Sequence, residues 1–278
     1  MLGVCMSHID WRLLITSADN GPMNMAIDQA IMEAVAQDSV PPTLRLYAWE
    51  PPCLSLGYTQ PFNDVDLARL AASGWDVVRR MTGGRAILHT DELTYSVAVR
   101  ANDPIVAGDI VESYRRLSQA LLACLRRLGA TAEADKLTAP HPNAKGPVCF
   151  EVPSHYEITV SGRKLVGSAQ VRKFGAVLQH GSIPLTGDIS RICEALVFES
   201  DSQRQKVRRR VHQRAATLED VTGQTVSWDI AASTLAESFQ EIFNLRFTVD
   251  RALTLGEQAR AEVLYTEQYA SDDWNRRF

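Results

Sequence analysis

Arg79-Arg80-Met81-Thr82-Gly83-Gly84-Arg85-Ala86-Ile87-Leu88-His89, with Glu92-Leu93-Thr94-Tyr95-Ser96 close behind, is the stretch on which the fold turns. Asp76 to Arg80, Ala86 to His89 and Leu93 to Val99 read as three successive strands, because β-branched and aromatic residues run between turn signals. Two glycines between strands expose backbone N–H groups to an anion or a carbonyl oxygen. The plainer reading is a Gly-Gly hairpin turn flanked by solvated arginines. No GxxxxGK[ST] occurs, so this is not a Walker loop. His89 taken alone reads as a hydrogen-bonded structural histidine rather than as a base.

Working outward, Met25, Ile27, Ile31, Met32 and Val35 give a helical stripe over Met23 to Val35, starting after Asn20-Gly21-Pro22. Strands are expected at Thr43 to Trp49 and Cys53 to Gly57, and a helix at Val65 to Ala72 closed by Gly74. Ile110 to Leu128, ending at Gly129, is the longest expected helix. Residues 136 to 153, with Pro140, Pro142, Gly146, Pro147 and Pro153, read as a long irregular loop of the kind that carries function. Tyr156 to Val160, Lys164 to Arg172 and Ala176 to Leu185 form a meander. From about 188 the chain is mostly helical, with one strand at Arg246 to Val249. Strands joined by hairpins rather than by regular helical crossovers argue an α+β fold. The expected architecture is a single domain over 1–278, with a mixed, largely antiparallel sheet flanked by helices.

The chain has 278 residues, 45% apolar and 22% charged, with a formal charge of -4. This balance gives no reason to expect nucleic acid or an anionic membrane surface as partner. No apolar run reaches the roughly 18 residues of a membrane span, and Met1 to Asp10 lack the pattern of a secretory leader. A cytoplasmic protein is expected. The five cysteines, Cys5, Cys53, Cys124, Cys149 and Cys193, are scattered, with no CxxC and no zinc-ligand spacing. Cys53, Cys124 and Cys193 fall in strand-like or helix-like segments and read as buried thiols. Cys149 differs: its surroundings, Gly146-Pro147-Val148-Cys149-Phe150-Glu151-Val152-Pro153, offer no periodic apolar face.

Lys164 follows the turn Ser161-Gly162-Arg163. Strand alternation from there puts Lys164, Val166, Ser168, Gln170 and Arg172 on one face, and Leu165, Gly167, Ala169 and Val171 on the other. A lysine just past a hairpin turn is often a solvated charge. The small residues Gly167-Ser168-Ala169 suggest instead that a backbone or ligand approaches closely. A thiol on a constrained loop and an ammonium on a strand are the parts of a thiolate nucleophile. A further basic segment, Arg204, Lys206, Arg208, Arg209, Arg210, His212 and Arg214, spreads its charge around a helix axis. It reads as a solvated helix, or as a landing patch for an acidic protein partner.

The combination of the Arg79–His89 stretch with Glu92-Leu93-Thr94-Tyr95-Ser96 resembles the signature of the biotin/lipoate protein ligase superfamily. Val148-Cys149-Phe150-Glu151-Val152-Pro153-Ser154-His155-Tyr156-Glu157 and Gly162-Arg163-Lys164-Leu165-Val166-Gly167-Ser168-Ala169-Gln170 are similar to its cysteine-dependent octanoyltransferases of the LipM type. Leu178-Gln179-His180-Gly181-Ser182-Ile183 and the segment from Ala216 to Val221 fit as well, so the resemblance covers most of the chain. Met81 stands where proline is frequent and His155 where tryptophan is common.

The resemblance implies transfer of an octanoyl group from acyl carrier protein to a lysine of a lipoyl domain, the glycine-cleavage H protein being the usual acceptor. It makes Cys149 the thioester-forming nucleophile and Lys164 the residue that lowers its pKa. It places the Gly83-Gly84-Arg85 turn beside the acyl carbonyl. Arg80, His89, Ser168, Gln170, His180 and Gly181 complete the expected substrate-binding set. No cofactor and no metal are implied, and no ATP, since an amide is more stable than a thioester. One alternative is an ATP-dependent lipoate or octanoate ligase, with Lys164 holding the adenylate. Such ligases carry a third glycine at the position of Arg85 and lack the loop cysteine. Another is a non-catalytic protein that binds lipoyl domains or acyl chains.

Overall fold

A computed structural model describes residues 8–135 and 157–278. The first strand, β1 (Ile9–Ile15), leads to helix α1 (Gly21–Ala36), whose start is capped by the Asn20 side chain accepting from the Met23 N–H. Strands β2 (Thr43–Tyr47) and β3 (Cys53–Leu56), helix α2 (Leu67–Ser73), and strands β4 (Asp76–Arg79), β5 (Ile87–His89) and β6 (Glu92–Arg100) follow. Helix α3 (Ile110–Arg127) opens on a capping box between Asp109 and Glu112, a device that contributes about 1 kcal/mol. Then come β7 (Glu133–Asp135), β8 (Glu157–Val160), β9 (Arg163–Lys173) and β10 (Ala176–Pro184). Helices α4 (Asp201–Arg214), α5 (Leu218–Thr222) and α6 (Trp228–Phe243), strand β11 (Leu245–Asp250), and helices α7 (Leu255–Leu264) and α8 (Asp272–Asn275) close the chain.

The main sheet runs β11-β1-β2-β6-β10-β9-β8-β7. The β11–β1 and β1–β2 pairs are parallel; the other neighbours pair antiparallel. Alternation divides each strand between two cores. Leu93, Tyr95, Val97 and Val99 of β6 pack with Leu117 and Leu121 of α3 and Phe239 of α6. Leu14 of β1, Ala98 of β6 and Leu178 of β10 face α1 and α7 on the other side. The expected α+β class and mixed, helix-flanked sheet describe this architecture. β1 was not foreseen, nor was β7.

The glycine stretch joins two strands of a separate sheet, ordered β4-β3-β5. This corrects the hairpin reading. β4 pairs parallel with β3 and β5 pairs antiparallel with it, so the turn crosses from one side of β3 to the other. The two arginines before it are not solvated either: Arg79 is 0% and Arg80 3% exposed. Arg79 donates to the carbonyls of Gly57, Tyr58, Gln60 and Asn275, and so pins the last helix against β4.

The β8–β9 turn is a two-residue hairpin with positive φ at Ser161 and Gly162, as the sequence suggested. Beyond it, β9 departs from simple alternation. Thr159 pairs with Lys164 and Ile158 with Val166, leaving Leu165 as an extra residue, a β-bulge. Leu165 and Val166 both enter the α3-side core with Ile158 and Val160. Lys164 therefore lies on the opposite face, shared with Gly167 and Ala169, and not with Ser168, Gln170 and Arg172.

Candidate active site

On the α1 side of the sheet, α1, β2, β3, β5, β6, β9, β10 and the 80–84 turn line a cavity. Its walls carry Met25, Ile87 and Ala169 beside the rings of Trp49 and His89. Polar residues also line it, but hydrogen bonds among neighbours engage most of their polar atoms. Two such networks shape the walls.

The first centres on Asp28, 1% exposed on α1. Its Oδ1 accepts from Arg45 (2.8 Å) and Ser96 (2.8 Å), its Oδ2 from the Tyr47 hydroxyl (2.9 Å) and from His180 Nδ1 (3.2 Å). Burial opposes ionisation of Asp28, but the bond from His180 and the Arg45 charge outweigh it and hold the carboxyl below the usual carboxylate range. Burial pushes the His180 imidazole below its ordinary value despite the Asp28 charge, so the ring is neutral near pH 7. With Nδ1–H directed at Asp28, Nε2 is the acceptor and takes the Thr82 hydroxyl at 2.7 Å. Helix α1 thus reaches the glycine turn through one imidazole.

The second centres on His89, whose ring stacks on Trp49 with centroids 4.0 Å apart. Its Nδ1 faces Glu92 Oε1 at 2.6 Å and its Nε2 faces Ser55 Oγ at 2.8 Å. Thr94 donates to Glu92 and accepts from the Trp49 indole. Arg80 donates to the Ser55 hydroxyl and carbonyl, and to the carbonyls of Gly83 and Arg85. It borders the cavity as a clamp on the turn. Gly84 takes φ +98°, and a Cβ on Gly57 would sit 2.0 Å from the Gly84 oxygen, so the turn packs directly onto β3's end.

The expected site residues divide. Arg80, Gly84, His89, His180, Gly181 and Ser168 border the cavity. Gly83 lies beside it in the turn, and the Arg85 carbonyl accepts from Arg80. The Ser168 hydroxyl is directed to Tyr95 at 2.8 Å. Gln170 lies on the far face, bonded to Ser113 of α3 and to Gln179. Gly181 is needed because a Cβ there would fall 2.5 Å from the Gly167 oxygen and 2.8 Å from Tyr95.

Lys164 is 5% exposed, and its ammonium donates to Glu157 at 2.8 Å. The solvated-charge reading is thereby excluded. Its carbonyl accepts from Ala216 N–H just beyond α4. Cys149, and the loop from 136 to 153, lie outside the described residues. Cys53 and Cys193 are fully buried and Cys124 also is, its thiol pushed up to about 12 by burial. Among the described residues no cluster of His, Cys, Asp and Glu fits a metal ion, and no helix is long and apolar enough to cross a membrane.

Helix α4 is not evenly solvated. Val207 and Val211 are buried, Arg204 donates to the Cys193 carbonyl and Asp201, and Arg208 bridges Glu194 and Asp188. Lys206 and Arg209 stay exposed. The sequence reading did not single out Ser55, which lines the cavity, Asp28 and Thr82, which brace its wall through His180, or Glu157, the partner of Lys164. A carboxylate inside the apolar stripe of α1 was the one available signal.

The chain belongs to the Lipoyl protein ligase A/B catalytic domain family, which matches residues 20–240. Curated relatives within reach of full length are octanoyltransferases: "Octanoyltransferase LipM" of Kyrpidia tusciae is 44% identical, over 96% of this chain and 98% of its own. The protein of the same name from Moorella thermoacetica is also 44% identical, with the same coverage of each chain. Among solved structures, a bi-partite lipoate protein ligase from Thermoplasma acidophilum superposes with a TM-score of 0.78 at 25% identity, covering 97% of each chain.

Proposed function

We propose that this protein is a cysteine-dependent octanoyltransferase of lipoate biosynthesis, taking the acyl group from acyl carrier protein through a Cys149 thioester. The acceptor is a lysine of a lipoyl domain, the glycine-cleavage H protein foremost, and the reaction takes place in the cytoplasm. The observation that supports it most is the bulge at Leu165, which turns Lys164 to the cavity face of the sheet. The near full-length similarity to octanoyltransferases points the same way. The apolar lining of the cavity, with Met25, Ile87, Ala169 and the Trp49 ring, suits an acyl chain.

An ordinary cysteine titrates near ~8.5, leaving a few per cent thiolate at neutral pH. Raising that to about half takes about 2 kcal/mol, which an ammonium within ~4–6 Å supplies. Lys164 is that ammonium. The Cys149 thiolate adds to the donor carbonyl; the carbon–sulfur bond to the carrier breaks and the carrier leaves as a thiolate. The acceptor amine then adds to the acyl-enzyme, loses a proton, and displaces the Cys149 thiolate as the amide forms. Lys164 and the N–H groups near Gly83-Gly84 stabilise the oxyanion of each addition.

Incubation with octanoyl carrier protein gives one octanoyl adduct by intact mass, and Cys149→Ala gives none. A Cys149→Ala protein that still delivers octanoate to the acceptor overturns the proposal. The ATP-dependent ligase reading has support in the structural relatives that are lipoate protein ligases, among them a lipoate-protein ligase A bound with ATP, at TM-score 0.78 and 26% identity. Pyrophosphate exchange driven by free octanoate and ATP decides for it.

A further inference from the structure

Ser182 of β10 is 0% exposed and lines the cavity, and among the described residues its Oγ has no hydrogen-bond partner. This is unlike the hydroxyls around it: those of Ser55, Thr82, Thr94 and Ser96 are all engaged. A buried hydroxyl left unmatched carries a desolvation cost, and native proteins keep such groups where something else completes them. We infer that Ser182 donates a hydrogen bond to the carbonyl oxygen of the bound acyl group. The inference rests on the octanoyltransferase reading and assigns a catalytic contact within it.

The assignment follows from what an acyl chain offers. Along an octanoyl group the carbonyl oxygen is the one good hydrogen-bond acceptor; the rest is hydrocarbon. A hydroxyl facing the chain therefore has one atom to bond. Its place on the sheet agrees. Ser182 pairs with Gly167 on β9, which shares the cavity face with Lys164 three residues away, and with Thr94 on β6. Gly167 has no side chain to stand between them. When the thiolate adds to the carbonyl carbon, the π pair moves onto this oxygen, and the Ser182 bond strengthens as the charge develops. When the carbon–sulfur bond to the carrier breaks, the pair returns to re-form C=O. The hydroxyl keeps its proton throughout.

The test compares wild type, Ser182→Ala and Ser182→Thr as full chains, measuring the single-turnover rate of octanoyl-adduct formation and the melting temperature. Ser182→Ala should acylate about 10- to 100-fold more slowly, with the KM for the donor changed by less than about threefold. It should melt at or above the wild-type temperature, because it removes an unmatched polar group. Ser182→Thr, which keeps the hydroxyl, should stay within about threefold of wild type. Unchanged acylation in Ser182→Ala overturns the inference while leaving the transferase reading intact. So does a slow Ser182→Ala that also melts lower and is not rescued by threonine, which marks a packing role. If wild type takes up no octanoyl group, the transferase reading fails and the assignment falls with it.

Discussion

Two regions on the α1 side of the sheet handle buried polarity in opposite ways. Around His89 and His180 both nitrogens of each ring have partners, and the carboxyls of Glu92 and Asp28 complete the networks. Such histidines are held in place by their neighbours and shape the walls. Toward β9 the pattern changes. A bulge breaks the alternation, an ammonium is held by a carboxylate from the neighbouring strand, and the Ser182 hydroxyl has no partner among the described residues. Paired groups give shape, and a buried hydroxyl left without a partner is where a ligand contact is to be sought.

The largest effect that would test this contrast is expected in the β9 region. Lys164→Ala should lower the rate of acyl-enzyme formation by about 10²- to 10³-fold. The acid limb of the kcat/KM profile should move to higher pH by roughly one to two pH units, since the thiol loses the charge that favours thiolate. An unchanged profile would mean that Lys164 does not act on the thiol.

In the walled region the damage should appear in stability. Asp28→Asn leaves the buried Arg45 guanidinium, 0% exposed, without its carboxylate. Breaking such a pair costs about 3–5 kcal/mol, read by urea unfolding. A loss confined to activity, with stability unchanged, would make Asp28 a participant and erase the distinction between the two regions.

The smallest effect concerns pH. The folded-state pKa of His180 lies below its unfolded value, so the unfolded chain binds the proton more readily. Stability is full above the unfolded value of ~6.5 and falls as the pH drops from there toward the folded value, by about 1.4 kcal/mol per pH unit. Asp28 adds a second loss at lower pH, below about 4, because its folded pKa is also depressed. His180→Gln should remove the first segment of this acid slope and keep the second. An identical slope in wild type and variant would show that His180 is protonated without penalty.

What could be read from the residues alone follows from range. The β8–β10 meander, the Ser161-Gly162 turn and helix α3 depend on periodicity and on caps within a few positions, and all appear where the pattern indicated. Strand β1 escaped because Asp10 and Arg12 interrupt its apolar run. Arg12 is buried only because Glu257, 245 positions away, meets it at 2.9 Å. The glycine turn was legible as a turn. That it crosses over β3 depends on Arg79, whose acceptors include Asn275, 196 positions away.

The chain by itself determined the α+β class, most of the elements, and a set of residues of which the greater part borders one cavity. Only the tertiary structure decided the face on which Lys164 stands, since a single extra residue at Leu165 inverts every neighbour and leaves no mark in the composition of the strand. It also decided that Asp28 anchors the cavity wall through His180 and that Gln170 turns away from the cavity. The physical reason is the same in each case: a side chain's periodicity is local, but its hydrogen-bond partners come from elements that only folding brings together.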